Sequence, residues 1–261
     1  MRYGVLADIH GNLHALDAVL RELDSLDVDG YLVAGDIVGY GPQPNECVAV
    51  VAGLAATCVA GNHDLIALGR LSDDRCGRLA RSSLRWTRSR LDDAARTFLA
   101  ELPLHAEAPG GVVIAHGALD EPQTYVTDAA RAAHELRRLA REHPAAGILV
   151  LGHTHAALAW NGDGLAVRAA QHDRLELRSS ERWLLNPGAV GQSRERSPDA
   201  RFMVLDLERG EASFRSTSYD VEGCRAALRR EGLPIQSCHR RPGRAAGVRR
   251  RLRRLAGRPS R

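Results

Sequence analysis

Five short apolar runs in this chain each end in residues of metal-binding type, and that recurrence constrains the fold more than any other feature. Thr57 to Ala60 leads into Gly61-Asn62-His63-Asp64, and Tyr3 to Ala7 into Asp8-Ile9-His10. Tyr31 to Ala34 leads into Gly35-Asp36, Val112 to Ala115 into His116, and Ile148 to Leu151 into Gly152-His153-Thr154-His155. Any one of these endings reads as a turn, because Gly, Asn and Asp are the usual turn residues. In an open α/β sheet, however, groups beyond the carboxyl ends of the strands converge even when far apart in sequence. The set Asp8, His10, Asp36, Asn62, His116, His153 and His155 combines hard oxygens with borderline imidazoles. It suits manganese, iron, cobalt, nickel or zinc better than calcium. Seven ligands are too many for one ion, so the count predicts two divalent ions sharing a bridging carboxylate.

The ordered motifs Asp8-Ile9-His10, Gly35-Asp36, Gly61-Asn62-His63-Asp64, His116 and Gly152-His153-Thr154-His155 resemble those of the calcineurin-like metallophosphoesterases, over roughly residues 1 to 220. The longer stretches Asp8 to Leu13, Gly35 to Pro42 and Asn186-Pro187-Gly188 are similar to its small bacterial and archaeal branch, which includes phosphodiesterases and dinucleoside polyphosphate hydrolases. The resemblance implies an α/β fold, a four-layer α/β/β/α sandwich of two mixed sheets. It also implies that Asp8, His10 and His155 hold one ion, Asn62, His116 and His153 the other, and Asp36 both, with manganese the first expectation. His63, next to a ligand but assigned no ion, is placed to protonate a leaving alkoxide; Asp64 either fixes its tautomer or caps the following helix. The expected reaction is metal-dependent hydrolysis of a small phosphodiester or a nucleotide phosphoanhydride. Phosphomonoesterase or protein phosphatase chemistry is the alternative. So is a non-enzymatic protein-binding scaffold, the use of this fold in a retromer subunit that lacks part of the ligand set.

Tyr40 stands where a ring could stack on a base or fill its loop, and Tyr125 is balanced the same way. Asn186 and Arg194 are expected near substrate because the resemblance places their loop beside the site. Gly35 is expected to let the backbone approach the metal pair. Asp8 and His10, two apart, point the same way if strand geometry persists.

With 44% apolar residues, 261 residues suffice for a buried core. Met1 to Leu6 passes directly into the first motif, and no apolar run is long enough to span a bilayer, so neither a signal peptide nor a membrane helix is expected. The five cysteines are odd in number and form no Cys-x-x-Cys pair, which fits reduced thiols in the cytoplasm. Residues 240 to 261 hold ten arginines and no acid, whereas residues 1 to 239 hold 26 arginines against 32 acids. An acidic catalytic domain over 1–239 thus precedes a basic tail over 240–261. The tail reads either as an amphipathic helix for an anionic polymer or membrane surface, or as a solvated coil. A homodimer is left open.

Periodicity predicts helices over 13–26, 45–54, 65–71, 75–91, 94–102 and 128–142, the last capped by Thr127, and one from Tyr219 to about Glu231. Residues 65 to 102 either shade the site as a cap or cover one face of a sheet. Arg78, Arg81, Arg85 and Arg88 fall on one helical face, solvated rather than clamping phosphate. From Ala156 onward short antiparallel strands are expected, with Asn186-Pro187-Gly188 as a turn.

Overall fold

A computed structural model describes residues 1–54, 56–162, 166–168 and 174–240. The basic tail beyond Arg240 and His172 therefore lie outside the described residues. In chain order the elements are β1 (Arg2–Leu6), α1 (Leu13–Asp24), β2 (Gly30–Val33), α2 (Pro44–Gly53), β3 (Ala56–Cys58), α3 (Asn62–Ala67), α4 (Arg78–Arg90) and α5 (Asp93–Glu101). Then come β4 (His105–Ala108), β5 (Val112–Ala115), α6 (Ala129–Glu142), β6 (Ile148–Val150), β7 (Ala157–Asn161), β8 (Ala166–Arg168) and β9 (Arg174–Glu176). The chain continues through β10 (Trp183–Pro187), β11 (Ala200–Asp206), β12 (Glu211–Thr217) and α7 (Val221–Arg230).

Two six-stranded mixed sheets result, in the orders β3-β2-β1-β11-β12-β9 and β4-β5-β6-β10-β7-β8. Strands β1, β2 and β3 are parallel in the first sheet and β5, β6 and β10 in the second, with antiparallel strands completing each. The side-chain period of two explains the layering. Val5, Leu32, Ile114, Val150, Leu185 and Met203 meet in one core between the sheets. Their chain neighbours Leu6, Val33 and Val204 turn outward onto Leu16, Leu23, Val48, Leu84 and Leu99 of the first helical layer. Val113, Leu149 and Leu184 turn outward onto Leu136 and Leu139 of α6. The expected four-layer sandwich is thus present, each fully buried aliphatic side chain contributing about 1.5–3 kcal/mol.

Several local expectations are revised. The helix after β3 starts at Asn62 rather than after Asp64, with the Asp64 carboxylate in its first turn accepting from the Gly61 N–H at 2.8 Å. Asp128, not Thr127, caps α6, accepting from the Arg131 N–H at 3.0 Å. Asn186 and Pro187 continue strand β10, paired with Leu158 and Ala157, and only Gly188 turns, at φ 86°. Proline is tolerated there at the strand's end. Within residues 65 to 102, Leu84, Leu91, Ala95 and Leu99 cover the first sheet, and Arg75, Cys76, Gly77 and Ala80 border the cleft described below. Among the described residues no helix is long and apolar enough to cross a membrane.

Candidate metal centre

The carboxyl ends of five parallel strands deliver the site: β1 to Asp8 and His10, β2 to Asp36, β3 to Asn62 and His63, β5 to His116, and β6 to His153 and His155. All seven expected ligands are buried. The strand geometry expected for Asp8 and His10 does not persist. β1 stops at Leu6, and Asp8, His10, Asp36, Tyr40, His153 and His155 all have left-handed backbones, with φ between 43° and 64°. Asp and His tolerate this region better than most residues, yet each instance costs about 1–3 kcal/mol. Six such residues in one place mark a site whose geometry is held against local preference.

Glycine answers a packing need here. A Cβ on Gly35 would lie 2.7 Å from the Gly61 nitrogen and 2.8 Å from His116 Nδ1, and one on Gly61 would lie 2.1 Å from Asp36 Oδ1. Gly35 therefore makes room for the β3 exit and the ring of His116, one of the candidate ligands.

Asp8, His10 and His155 form one group, and Asp36, His116 and His153 a second, with the ligand atoms of each within 4.8 Å of one another. Asn62 joins the second group, its Oδ1 lying 3.1 Å from His116 Nε2. Asp36 Oδ2 lies 3.2 Å from His116 Nε2 and 3.7 Å from His10 Nε2, between the two groups, where a bridging carboxylate belongs. His10, His116 and His155 set Nδ1 against the carbonyls of Val38, Ala34 and Gln192, at 3.3, 2.7 and 2.7 Å. A proton held there leaves the Nε2 lone pair for a metal, the arrangement that fixes the tautomer of ligating imidazoles. Asp8 Oδ2 and His153 Nε2 are buried without any partner. Such atoms cost about 1–3 kcal/mol each unless something binds them. The donors, their orientation and these orphaned atoms fit two divalent ions, held by residues of the types expected from the sequence.

Charge balance supports the same fit. Burial pulls His116 down, but the Asp36 carboxylate and its hydrogen bond outweigh it and hold the ring at about 9. Burial pushes Asp8 up to about 7, and it drives His10 and His155 well below the ordinary imidazole range. A metal-free centre at pH 7 thus holds a proton on His116 and part of one on Asp8, and metal binding must displace both. Loading manganese at pH 7 should release one to two protons per chain, and affinity should fall as pH drops from 9 to 6. Calorimetry in buffers of different ionisation enthalpy reads this directly; a heat independent of buffer would contradict it.

The remaining expected residues divide. His63 lines the cleft beside the ligands, with Nδ1 buried and unpartnered, and it forms a third close group with His10 and Asp36. Asp64 does not hold its ring: one oxygen accepts from the Val38 N–H at 3.0 Å and the other from the Gly61 N–H at 2.8 Å. Of the two roles open to Asp64, the structure shows capping. Tyr40 is buried between His10 and His63, ring centroids 4.7 Å from each, and it also lines the cleft. Tyr125 is 42% exposed, lines the cleft and sets its ring centroid 3.8 Å from that of His153. Asn186 is buried and is not among the residues that line the cleft. Its amide donates to the Gly152 carbonyl and to Thr154 Oγ1, and its Oδ1 accepts from the Gly188 N–H, so it braces the loop carrying His153 and His155. Arg194 does reach the cleft, with Nε 3.4 Å from Gln192 Oε1 and no carboxylate within ion-pair distance among the described residues. Arg75, Cys76 and Gln123, absent from the sequence-based set, also line it.

The calcineurin-like phosphoesterase superfamily domain matches residues 1–210. A metallophosphoesterase from Sphaerobacter thermophilus is 34% identical, with a TM-score of 0.78 covering 91% of this chain and 97% of that one. An uncharacterised protein of Methanocaldococcus jannaschii is 28% identical over 240 residues, 88% of this chain and 93% of its own length. A hypothetical protein from Pyrococcus horikoshii has the same fold at 18% identity, with a TM-score of 0.72 over 91% of this chain and 96% of that one. Fold, matched domain and the paired ligand groups agree, and the chain belongs to the calcineurin-like phosphoesterase superfamily.

Proposed function

We infer that this metal-dependent phosphoesterase works on phosphodiesters or nucleotide phosphoanhydrides ahead of simple monoesters, with manganese as its ion, in the reducing cytoplasm. The observation that carries the reading is His63, a buried imidazole in the cleft wall whose Nδ1, unlike that of His10, His116 and His155, is anchored to no carbonyl. Its role is proton donation to the leaving oxygen. Divalent ions bound by the two groups supply a water of lowered pKa and neutralise charge on the phosphoryl oxygens.

The protein's own residues do the rest. Asp36 holds the two groups in register. Arg194, without a carboxylate partner among the described residues, is placed to contact a phosphoryl oxygen, a charge-assisted bond stronger than a neutral one. Burial lowers His63 to about 4, and an anionic ester beside it favours the charged ring, so protonation accompanies substrate binding. Alkoxide leaving groups need such a proton, which gives His63 a use in diester cleavage. Tyr125 is placed to stack on a base when the substrate is a nucleotide. Five free cysteines, with no disulfide among them, fit a reducing compartment. A purely scaffolding role is disfavoured because every ligand position is filled and converges.

A screen of the manganese-loaded protein over model mono- and diesters, cyclic nucleotides and dinucleoside polyphosphates tests the ranking. Diesters or phosphoanhydrides should lead in kcat/KM. Monoester hydrolysis at least as efficient as both would sink it.

A further inference from the structure

Beyond residue 210, where the matched domain ends, the chain adds α7 and a short segment that returns to the metal centre. Ile235–Ser237 form a short 3-10 helix, and Leu233 and Cys238 pack on Cys224 and Leu228 of α7. From this anchor the segment grips the loop that follows β10. The Arg240 N–H donates to the Ser193 carbonyl at 3.0 Å, Ser193 and His239 form a parallel bridge, and His239 Nε2 lies 3.0 Å from the Glu195 carbonyl. Tyr219 carries the tie inward. Its hydroxyl donates to the Cys238 carbonyl at 3.4 Å and accepts from the Asn12 amide at 3.3 Å, and that amide also donates to the Gly191 carbonyl at 2.9 Å.

Gln192 is where this grip reaches the cleft. It is 1% exposed; its Nε2 donates to the Ser237 carbonyl at 3.2 Å, and its Oε1 accepts from Arg194 Nε at 3.4 Å. With an acceptor on one side and a donor on the other, only one orientation of the amide satisfies both. Glu195, next to Arg194 in the chain, is taken by Arg201, whose Nη2 and Nε lie 2.6 and 3.2 Å from its Oε2. Among the described residues no other side chain hydrogen-bonds Arg194. A neutral acceptor steadies the guanidinium without cancelling its charge, whereas a carboxylate there would compete with a phosphoryl group. An arginine free to rotate must be ordered at every binding event, and a neighbour that holds it beforehand removes that cost.

We propose that Gln192 is a positioning residue, clamped on its far side by the segment after α7, that pre-orders the Arg194 guanidinium for a phosphoryl oxygen. The proposal rests on the Arg194 contact inferred above and adds the residue through which the chain beyond the matched domain acts on the site.

A double-mutant cycle tests it, with inorganic phosphate titrated calorimetrically into the manganese-loaded full chain. Arg194→Ala should weaken phosphate by about ten-fold or more, the scale of a hydrogen bond to a charged group. Gln192→Met, of similar length but without an amide, should weaken it by about two- to ten-fold, the scale of ordering one long side chain. It should add nothing once Arg194→Ala is in place. Manganese content should match wild type in Gln192→Met, because the carbonyl that orients His155 belongs to the backbone of Gln192. With bis(p-nitrophenyl) phosphate as substrate, Gln192→Met should raise KM more than it lowers kcat.

An equal loss of phosphate affinity from Gln192→Met in the wild-type and Arg194→Ala backgrounds would overturn the proposal, since a general loosening of the loop does not depend on Arg194. Loss of manganese in Gln192→Met would overturn it too, by routing the effect through His155. If the methionine variant does not fold, Gln192→Asn, one methylene shorter and unable to span both partners, takes its place in the cycle. Phosphate affinity needs no turnover, so the cycle decides the role of Gln192 even if the wild type cleaves no diester and the hydrolase reading fails. Unchanged affinity in Arg194→Ala would remove the Arg194 contact and Gln192 with it, whereas additive losses remove Gln192 alone.

Discussion

Asp36→Asn should lose one or both ions and, with them, nearly all hydrolysis. Asp36 Oδ2 is the atom poised between both ligand groups, so the amide halves the charge available to two dications at once. The loss should exceed the roughly ten- to hundred-fold cost of altering an outer partner of a metal ligand. The change is nearly isosteric, and Oδ1 of Asp36 also accepts the His63 N–H at 2.8 Å, which an asparagine oxygen can still do. The fold should therefore survive, and metal analysis of the purified variant, beside a thermal melt, checks the claim. Two ions per chain retained in Asp36→Asn would remove this residue from the bridging position.

His63→Ala should give the opposite pattern, with metal content kept and turnover reduced by roughly a hundred- to ten-thousand-fold, the usual value of general acid help. The loss should depend on the leaving group. Alkyl diesters, which depart as poor alkoxides, should suffer far more than nitrophenyl diesters, whose leaving group is already stable. Loss of metal like that in Asp36→Asn would instead place His63 among the ligands, as its closeness to His10 and Asp36 permits. Equal losses for both leaving groups would remove the proton-donor role.

The three layers of core were legible because each parallel strand alternates. Val5 and Leu6, Leu32 and Val33, and Val113 and Ile114 face opposite ways, as a period of two requires. The seven ligand positions were legible for a related reason, since strand ends mark themselves by polar residues after an apolar run. What stayed hidden depended on contacts between distant segments. Whether Asp64 serves His63 or the backbone turns on where Val38 and Gly61 lie. The Gln192 carbonyl that orients His155 carries no side-chain signal at all. Asn186 looked like a turn residue near substrate, but strand pairing with Leu158 draws it inward to brace the histidine loop. Arg75, Cys76 and Gln123 carried no signal of their own, since only the fold brings their segments to the cleft.

The central claim is that two ions held by these strand-end residues make the chain a hydrolase. It is tested most directly by stripping the protein with a chelator, removing the chelator, and titrating manganese while recording bound metal by native mass spectrometry and bis(p-nitrophenyl) phosphate hydrolysis in the same samples. The account predicts no turnover in the stripped protein and activity that appears with manganese and saturates at two ions per chain. Full turnover in the metal-free protein, or saturation at a single ion, would contradict it.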